Sequence, residues 1–484
     1  MENASMQNYS YPTLGSRVAG KRLESADVLI PVENPATGEV LGQLPLLERA
    51  AVQAAAVSAE QAFQIWRRYS PADRAEILHQ TGRILQARKS ELAWLITMEL
   101  GKPYQESLRE AQTTVELFVW AAEEARRTYG RVIPGRSPDI NQYTVYEPIG
   151  PVAGFSGWNA PAITPARKIS GALAAGCSIV MKPSEATPAC ALLIADALEE
   201  AGLPPGTCNL VFGDAAMVSE CLLDDPLIRM LTFTGSTPIG KQLAERAARS
   251  LKRMTLELGG YACALIFPDV DVDAVADSAV AAAYRNSGQI CTSPTRFLVH
   301  ESIYERFVER FSRGVSALRV GNGLLAETQM GPLANARAVS SMQRLVDDAR
   351  AHGVLIAAGG ERIEGPGHFY KPTVLVGLTD DCLAAQHEPF GPVKGISPFK
   401  SLDQALALAN RLPFGLAAYL WTHDTRVVGA VAGHIEAGAL AVNQWSVSLP
   451  ETPFGGVKDS GQGHEGGIEG VQSFMQMRFV SQKY

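Results

Sequence analysis

The sequence predicts an α/β protein in which helices cover both faces of parallel sheets. From residue 151 onward, short apolar runs alternate with helix-like segments, and this order of elements favours a parallel sheet. One such segment begins at a helix start signal, Thr187-Pro188, and ends at a helix stop signal, Gly202. A second alternating series begins at residues 262–266 and runs past residue 440. The 484 residues correspond to about three domains at roughly 150 residues each.

Helices predominate in the first third of the chain. Between residues 48 and 67, apolar side chains recur at spacings of three and four, which predicts one buried helical stripe. This stripe consists of Val52, Ala55, Ala59, Phe63 and Trp66. Residues 71–127 continue with segments rich in Leu, Ala and Glu. Residues 130–146 contain Gly, Pro, Asn and an alternating Tyr-Thr-Val, which predict an exposed β-hairpin and a candidate contact between subunits.

The alternating part of the chain can be divided into individual strands and helices. Strands are predicted at 152–155, 178–181, 209–212, 227–233 and through residues 255 and 256. Helices are predicted between Pro188 and Gly202, with Thr187 as the N-cap, and at residues 238–248. The apolar run at 262–266 starts the second series.

Composition and charge exclude several classes of protein. The chain is 46% hydrophobic and 19% charged, with a net charge of −7, which is typical of a folded globular protein rather than a disordered or fibrous one. Its acidic balance provides no basic field for nucleic acid or for an anionic membrane, so neither is expected as a partner. Residues 1–21 lack a signal-peptide run, and no later run approaches 18 apolar residues. We therefore expect a cytoplasmic protein.

The cysteine and histidine residues predict neither a disulfide scaffold nor a metal site. The seven cysteines include no Cys-x-x-Cys pair, and the eight histidines include no His-Glu-x-x-His. Six cysteines are interpreted as small buried hydrophobic residues in a reducing compartment. The seventh, Cys291, lies among small, polar, turn-forming neighbours in the run Gly-Gln-Ile-Cys-Thr-Ser-Pro, where a thiolate could attack an electrophile.

Two further segments carry chemistry at predicted strand ends. Glu257 stands between two leucines at the end of an apolar strand, where it is either an ion-paired or capping residue or a general base whose pKa is raised by burial. The segment 233–240 passes from a strand into a helix through Gly235 and Ser236, so its amides and hydroxyl could face a phosphate. No Gly-x-Gly-x-x-Gly follows a strand, so the usual dinucleotide fingerprint is absent.

Taken together, these motifs resemble those of the aldehyde dehydrogenase superfamily over nearly the whole chain. The 34-residue spacing from Glu257 to Cys291 matches the family. The other matching motifs are Trp158-Asn159-Ala160-Pro161, Lys182-Pro183-Ser184-Glu185, Glu388-Pro389-Phe390-Gly391-Pro392, Asn34-Pro35-Ala36-Thr37-Gly38-Glu39 and Pro453-Phe454-Gly455-Gly456-Val457-Lys458. The chain departs from the family at Gly157, where many relatives have Pro, and at Tyr261, where Lys or Asn is common.

The resemblance implies a set of site residues and a mechanism. Cys291 would be the nucleophile, Asn159 an oxyanion donor and Glu257 the base, so that an aldehyde becomes an acid through a thiohemiacetal and a thioester. Contacts with a nicotinamide cofactor are implied for Ser156, Trp158, Lys182, Ser184, Glu185, Gly213, Phe233, Gly235, Ser236, Gly240, Leu258, Glu388 and Phe390. The carboxylate of Glu185 disfavours a 2′-phosphate, which favours NAD, although Lys182 could offset the repulsion and NADP stays the alternative.

The resemblance also implies a domain organisation. Residues 1–128 and 149–257 would form a cofactor-binding domain of Rossmann type, and residues 258–443 would form a catalytic domain with a second parallel sheet. Residues 129–148 and 444–484 would form an oligomerisation element with the β-hairpin. A homodimer or homotetramer is expected.

Two arginines restrict the class of substrate that the sequence predicts. Arg167 and Arg285 coincide with positions that bind the substrate carboxylate in succinate-semialdehyde dehydrogenases, and Ser448 stands where that subfamily has a hydroxyl. Arginine binds a planar carboxylate through two hydrogen bonds, so two arginines at one site argue for an acidic aldehyde, although either arginine could instead be structural. By these positions the chain most resembles the NAD(P)-dependent succinate-semialdehyde dehydrogenases. Ser293 replaces the subfamily's second cysteine, so no disulfide switch is expected there.

The sequence leaves three alternatives open. The first is a dehydrogenase for glutarate semialdehyde or for a broader range of aldehydes. The second is an acylating enzyme that transfers the thioester to coenzyme A, against which the presence of Glu257 argues. The third is a catalytically silent homologue, against which the intact Cys291, Glu257 and Asn159 argue.

Overall fold

The computed structural model describes residues 9–484, so the first eight residues of the predicted 1–128 segment lie outside it. Within this range the strands are, in chain order, β1 (Ser16–Val18), β2 (Lys21–Leu23), β3 (Val28–Glu33), β4 (Val40–Leu46), β5 (Val132–Ile133), β6 (Ile140–Pro148), β7 (Val152–Phe155), β8 (Ile179–Lys182), β9 (Cys208–Leu210), β10 (Met230–Thr234), β11 (Arg253–Glu257), β12 (Cys263–Ile266), β13 (Arg296–His300), β14 (Leu355–Ala358), β15 (Thr373–Val376), β16 (Val393–Phe399), β17 (Phe414–Gly415), β18 (Ala417–Trp421), β19 (Ala439–Val442), β20 (Val457–Lys458), β21 (Gly461–Gln462) and β22 (Met475–Lys483).

The helices of the described residues lie on both faces of the sheets and in a bundle near the N-terminus. They are, in chain order, α1 (Arg49–Trp66), α2 (Pro71–Ala87), α3 (Lys89–Leu100), α4 (Tyr104–Ala125), α5 (Ile163–Ala175), α6 (Pro188–Glu200), α7 (Ala215–Asp224), α8 (Thr237–Ala248), α9 (Val272–Ala283), α10 (Tyr304–Ser316), α11 (Ala336–Ala351), α12 (Leu383–Gln386), α13 (Leu402–Asn410), α14 (Thr425–His434) and α15 (Gly467–Gln472). Single 3₁₀ turns occupy Arg285–Gly288 and Glu301–Ile303.

The first large sheet has the strand order β2-β1-β9-β8-β7-β10-β11-β21. The five central strands, β9-β8-β7-β10-β11, are parallel to one another. At the two sides of this group, β1 pairs with β9 and β21 pairs with β11, both in antiparallel fashion. Along the chain the order runs outward from β7 in both directions, so the sheet reverses between β7 and β10. Such a switch point leaves a crevice at the carboxyl ends of the strands, where α/β proteins bind ligands.

The second sheet has the order β14-β15-β16-β13-β12-β18-β19 and is parallel apart from β14. Its apolar strands pack against α9 and α10, and Phe307 and Phe311 of α10 are fully buried. A third, antiparallel sheet joins β22, β6 and β5. The predicted hairpin of residues 130–146 is thus confirmed as β5 and β6, with a C-terminal strand added to it.

The helical periodicity predicted for residues 48–67 is confirmed by α1. All five residues of the predicted stripe, from Val52 to Trp66, are buried against the protein interior. The strands of the first sheet also lie within a few residues of their predicted positions. β9 spans 208–210 rather than 209–212, β10 begins at Met230 rather than at 227, and α8 begins one residue before the predicted 238.

Two local predictions were wrong. Thr187 occupies the position before α6 but makes no side-chain cap, because Glu99 of α3 accepts the hydrogen bond from the Ala189 amide instead, at 2.8 Å. A buried carboxylate from a neighbouring helix thereby replaces the local hydroxyl. Of the six cysteines expected to be buried, Cys208 is only half-buried because it stands at the first position of β9.

The domain division predicted at residues 128, 148, 257 and 443 stays a prediction. The first sheet does recruit β21 from the segment assigned to oligomerisation, since Gly461 pairs with Glu257. Within residues 9–484, no helix combines the length and the low polarity that crossing a bilayer requires.

Candidate active site

A cavity of about 1210 Å³ lies where the carboxyl ends of first-sheet strands meet loops of the second sheet. Its walls include residues that follow β7, β10 and β11, the loop before β13, and the segment before β16. The predicted site residues that line it are Trp158, Asn159, Arg167, Gly235, Ser236, Glu257, Leu258, Arg285, Cys291, Glu388, Phe390 and Ser448. The three predicted catalytic residues are therefore brought together with the three predicted substrate residues.

The other predicted residues stand behind this cavity or away from it. They are Ser156, Lys182, Ser184, Glu185, Gly213, Phe233 and Gly240. The ammonium group of Lys182 is ion-paired with Glu185. Gly240 allows a close approach, because a Cβ atom there would lie 2.2 Å from Cδ2 of Leu258 in the cavity wall. None of these seven residues lines the cavity itself.

Cys291 is half-buried in an irregular loop that follows the 3₁₀ turn Arg285–Gly288. Burial raises the pKa of the thiol to about 12, with the charges of Glu388 and Glu257 adding to the effect and that of Arg167 opposing it. Within the turn, Asn286 and Ser287 adopt left-handed φ values of 48° and 56°. Such conformations are disfavoured for residues other than glycine and require support from the surrounding structure.

Hydrogen bonds supply that support from both sides of the loop. The Asn286 amide donates to the carbonyls of Asn159 at 3.0 Å and of Gln289 at 3.1 Å, and its backbone N–H donates to Glu106 at 2.9 Å. The side-chain amide of Asn159 donates to the same Gln289 carbonyl at 3.1 Å. Beyond the nucleophile, Tyr419 donates its hydroxyl to the Thr292 carbonyl at 2.6 Å. The catalytic loop is therefore fixed to both sheets.

Glu257 ends β11 with its side chain buried and neither carboxylate oxygen hydrogen-bonded. Burial raises the pKa of this carboxyl well above its ordinary value, and the charge of Glu465 raises it further, whereas Lys168 and Arg167 oppose the rise. A carboxylate with a raised pKa and free oxygens suits a general base near neutral pH. Of the two interpretations left open by the sequence, the contacts favour the base over a paired or capping residue.

A buried ion pair near Glu257 was missed in the sequence. Lys168 is fully buried in α5, where it pairs with Glu465 and also donates to the Thr232 hydroxyl at 3.2 Å. Glu465 itself lines the cavity. The available signal was the pair of adjacent cations, Arg167 and Lys168, in a helix made mostly of small and apolar residues, since a buried charge requires a partner.

Arg167 lies one residue before Lys168 and is also buried. Its Nη2 donates to the Ser448 hydroxyl at 2.6 Å, and its guanidinium lies over the Phe454 ring at 5.0 Å from the centroid. Its Nε and Nη1 have no hydrogen-bond partner. Arg285 is exposed but contributes to the same cavity.

The cavity wall at the switch point of the first sheet carries unsatisfied polar groups. The hydroxyl of Thr234, which ends β10 and lines the cavity, is buried without a hydrogen-bond partner. The hydroxyl of Ser156, which follows β7 behind this wall, is also buried without one. Ser236, which lines the cavity and precedes α8, makes no side-chain cap, so its hydroxyl does not satisfy the amides at this helix start. Unsatisfied donors at a switch point fit a bound nucleotide with its phosphates.

Glu388 and Phe390 form the wall opposite. Burial raises the pKa of Glu388 to about 8, while a hydrogen bond from the Gly260 amide and the charge of Lys394 oppose the rise. The Phe390 ring meets Trp158 edge-on, with centroids 5.6 Å apart. Six of the thirteen residues predicted for the cofactor, drawn from both sheets, therefore border one space.

The aldehyde dehydrogenase family model matches residues 23–480. The chain belongs to the aldehyde dehydrogenase family. Among its relatives is a 4-(hydroxymethyl)benzenesulfonate dehydrogenase of Comamonas testosteroni, 45% identical over 449 residues that cover 93% of this chain and 94% of the relative. The crystal structure of succinate-semialdehyde dehydrogenase from Burkholderia pseudomallei superposes with a TM-score of 0.96 at 38% identity, covering 99% of this chain and all of the other.

A third aldehyde dehydrogenase bears on the cofactor. Betaine aldehyde dehydrogenase from Staphylococcus aureus was solved in complex with NAD⁺, and it matches with a TM-score of 0.94 at 30% identity over 97% of this chain and 94% of the other. The predicted family, fold class, enzyme class and nicotinamide cofactor are thereby confirmed. The assignments of individual site residues stay predictions, which the geometry supports.

One group of metal-ligating atoms occurs in the described part of this aldehyde dehydrogenase. Asp348, His352 and Cys382 place ligand atoms within 4.8 Å of one another, outside the residues discussed above. Each of them already has a hydrogen-bond partner: Asp348 accepts from the Leu383 amide, His352 contacts the Asp348 carbonyl, and Cys382 contacts Thr379. This network is satisfied by the protein alone.

Proposed function

We propose that this aldehyde dehydrogenase oxidises an aldehyde carrying a distal carboxylate, succinate semialdehyde in the first place, to the corresponding acid. The observation that carries the proposal is the buried guanidinium of Arg167, with two N–H groups that lack partners in the cavity of Cys291. Leaving such donors unpaired costs free energy, and a carboxylate would accept hydrogen bonds from them. The Ser448 hydroxyl, already bonded to Arg167, stands ready as a further donor.

Arg285 adds a second cation to the same pocket. It stands in the 3₁₀ turn that leads to Cys291, and its exposed side chain is free to follow a substrate of variable length. Each of the two guanidinium groups offers a positive charge and hydrogen-bond donors to a substrate carboxylate. An uncharged aldehyde would leave both arginines without a ligand.

The catalytic steps are assigned to three residues of the cavity. The Cys291 thiolate attacks the aldehyde carbon and forms a thiohemiacetal, whose oxyanion accepts hydrogen bonds from the Asn159 amide and the Cys291 backbone N–H. One such donor is typically worth about 10²–10³ in rate. Asn159 uses only one of its two amide hydrogens on the Gln289 carbonyl. Glu257 then activates the water that hydrolyses the thioester and releases the acid.

The nicotinamide cofactor is assigned to the switch-point crevice. When bound, it accepts the hydride that leaves the thiohemiacetal carbon. Glu388 would hold the nicotinamide ribose, Phe390 would pack beside the ring, and Ser236 would meet the pyrophosphate. Lys182 and Glu185 would hold the adenosine ribose, and their ion pair leaves less charge to repel a 2′-phosphate than a free Glu185 would. NAD is still favoured, because the carboxylate is the more exposed partner of the pair.

A sulfonate-bearing aldehyde is the second candidate. The relative from Comamonas testosteroni is named for an aryl sulfonate, and sulfonate oxygens are acceptors that Arg167 could bind as it would a carboxylate. Trp445, Val447 and Phe454 give the cavity apolar surface beside the arginines. Glutarate semialdehyde, one methylene longer than succinate semialdehyde, is the alternative among carboxylate substrates.

The test compares charged and uncharged aldehydes in paired variants. We expect Arg167→Ala to lose about 2–5 kcal/mol of transition-state binding with succinate semialdehyde, or about 30- to several-thousand-fold in kcat/KM, and Arg285→Ala to lose less because its side chain is exposed. With butanal, Arg285→Ala should lose little, and Arg167→Ala should lose only the smaller share that comes from the higher pKa of Cys291 and Glu257. Arg344→Ala serves as the control, since Arg344 of α11 lines the same cavity without a role in the proposal. Equal losses on both substrates would show that Arg167 and Arg285 are structural.

The wild-type enzyme should be assayed alongside with a panel of substrates. Initial rates with succinate semialdehyde, glutarate semialdehyde, 4-formylbenzenesulfonate and butanal rank the candidates directly. Repeating the assay with NADP in place of NAD tests the cofactor preference, and adding coenzyme A tests for acylation. A higher kcat/KM for the sulfonate than for either semialdehyde would replace the first candidate with the second.

A further inference from the structure

The loop after β11 and the segment before β16 are joined at the cofactor side of the cavity. The Gly260 backbone N–H lies close enough to the Glu388 carboxylate to lower its pKa. A Cβ atom at Gly259 would lie 2.8 Å from Oε2 of Glu388, so this glycine lets the carboxylate approach the loop closely. The position of the Glu388 carboxylate therefore depends on the distance between the segment before β16 and the loop after β11.

Tyr261, the residue after Gly259 and Gly260, also connects the loop after β11 to the segment before β16. Its ring is buried, and its hydroxyl donates to the carbonyl of Ala384 in α12. This hydroxyl thus connects the end of the first sheet to the short helix that precedes Glu388. The residue is one of the positions at which the sequence departs from its family.

The Tyr261 ring is itself held in a fixed position. The guanidinium of Arg296 lies over it at 5.1 Å from the ring centroid, and Nε of Arg296 donates to the Tyr261 carbonyl at 3.3 Å. The same guanidinium donates to the carbonyls of Leu408 and Ala409, each at 3.0 Å. The phenol is consequently anchored in the second sheet and its helices before it reaches α12.

The other hydrogen bonds of α12 lead to a different part of the molecule. The Leu383 amide donates to Asp348 at 2.7 Å, and Arg411 donates to the Ala385 carbonyl at 3.0 Å. Both contacts come from residues of the second sheet's helices and their connections. Tyr261, in contrast, ties the segment to the part of the chain that leaves β11, the strand that carries Glu257.

We propose that Tyr261 is a positioning residue for the cofactor, acting through the segment that carries Glu388. The inference rests on the proposed function in one respect, the assignment of Glu388 to the nicotinamide ribose. With the hydroxyl present, the segment is set at the distance at which Glu388 meets both Gly260 and the cofactor. Without it, Glu388 must be brought into place by the cofactor itself.

Tyr261→Phe tests this proposal because it removes only the hydroxyl and keeps the ring under Arg296. We expect the dissociation constant for NADH, measured by quenching of tryptophan fluorescence, to rise about three- to tenfold, as the loss of one hydrogen bond predicts. In steady-state assays the larger change should fall on KM for NAD rather than on kcat. Tyr304→Phe is the matched control, because its hydroxyl also donates to a carbonyl, that of Ile396 at 3.3 Å, away from the cavity.

Both variants lose one phenol–carbonyl hydrogen bond, so their melting temperatures should fall by similar amounts. Only Tyr261→Phe should weaken the binding of NADH. An unchanged NADH affinity in Tyr261→Phe, or an equal loss in Tyr304→Phe, would overturn the proposal.

A double-mutant cycle with Glu388→Ala separates this inference from the function on which it rests. If Tyr261 acts through Glu388, then Tyr261→Phe should weaken NADH binding in the wild-type background and have little effect in the Glu388→Ala background. The same loss in both backgrounds would show that Tyr261 acts elsewhere. If Glu388→Ala weakens NADH binding and Tyr261→Phe does not, only the inference fails. If neither weakens it, the cofactor role assigned to Glu388 fails.

Discussion

At the scale of single residues, the state of ionisation of Glu257 decides when the site can work. Its base form and the Cys291 thiolate are both the deprotonated species, and burial raises the pKa of each. Activity should therefore rise with pH, and the acidic limb of the kcat profile, which includes thioester hydrolysis, should lie above the range of an ordinary carboxyl.

Glu465→Gln tests the electrostatic contribution to that pKa. Removing the negative charge of Glu465 takes away a contribution that raises the pKa of Glu257, and it leaves the cation of Lys168 unbalanced nearby. Both changes favour the carboxylate form, so the acidic limb of the kcat profile should move to lower pH. A limb that stays in place would mean that Glu257 is not the group that titrates there.

Replacing the nucleophile has a simple expected outcome. Cys291→Ala should abolish dehydrogenase turnover while NADH binding and the melting temperature stay near those of the wild type, because the thiol is small and its role is covalent. Cys208→Ala is the control, since that thiol is half-buried in a strand far along the chain from the catalytic loop. Wild-type turnover in Cys291→Ala would contradict the mechanism.

Replacing the base should separate the two halves of the reaction. Glu257→Gln should release one burst of NADH and then stop at the thioester, since acylation of Cys291 precedes the activation of water. Rapid-mixing absorbance at the NADH band measures the burst. If the burst is lost while NADH still binds, Glu257 is required earlier, for example to remove the proton from the thiol.

These single residues were predicted because they stand in motifs that can be recognised locally. Each of the three residues Cys291, Glu257 and Asn159 lies in a recognisable local motif, and the structure brings them into one cavity. The pair Lys168–Glu465 was not predicted, since its members are separated by most of the chain and neither lies in a motif that states its partner. Ion pairs of this kind depend on how helices and loops dock, which local pattern does not encode.

At the scale of elements, the left-handed turn before Cys291 is a part of the catalytic apparatus. Asn286 holds φ at 48° and bonds to both Asn159 and Gln289. Asn286→Ala removes those bonds and replaces a residue that tolerates this conformation with one that does not. We expect kcat to fall about 10- to 100-fold with NADH affinity largely retained, measured in steady state and by titration.

Leu251→Ala is the matched control for that prediction. Leu251 also has a left-handed φ, of 49°, but it is exposed in the turn after α8. Its replacement should leave kcat unchanged. Similar losses of kcat in both variants would show that backbone strain alone, and not the support of the catalytic loop, accounts for the effect.

The elements themselves followed from periodicity more reliably than their ends did. The stripe of α1 and the strand–helix alternation were predicted from side-chain spacing, which depends on local geometry. The cap of α6 was not, because Glu99 reaches it from α3 and satisfies the amide that Thr187 was expected to bond. A helix end can be capped by any nearby acceptor, so its true partner is set by packing.

At the scale of the whole molecule, the sheet of β5, β6 and β22 exposes an unusual amount of apolar surface. Val132 is 78% exposed, Met477 57% and Phe479 55%. Large exposed hydrophobic side chains on one sheet are typical of a protein–protein interface. Such a surface supports the predicted homo-oligomer, with this sheet as the contact between subunits.

Val132→Asp and Phe479→Asp test that arrangement. A buried charge at the contact should shift the protein to a smaller species, which size-exclusion chromatography with light scattering measures. Leu355→Asp is the control, because Leu355 is 61% exposed on β14 at the edge of the second sheet. An unchanged mass in both test variants, with an oligomeric wild type, would place the contact elsewhere.

The pairing of β11 with β21 has a consequence for how the enzyme is made. Gly461 is paired with Glu257, yet the ribosome adds it about 200 residues later, which takes on the order of 10–40 s at about 5–20 residues per second. During that interval the nascent chain already carries the base, and later the nucleophile, without the edge strand beside Glu257 or the partner of Lys168. A ribosome-bound or prematurely terminated chain therefore lacks the supports of its own active site. We therefore expect catalysis to begin only after the C-terminal segment, with Gly461 and Glu465, has folded back onto the first sheet.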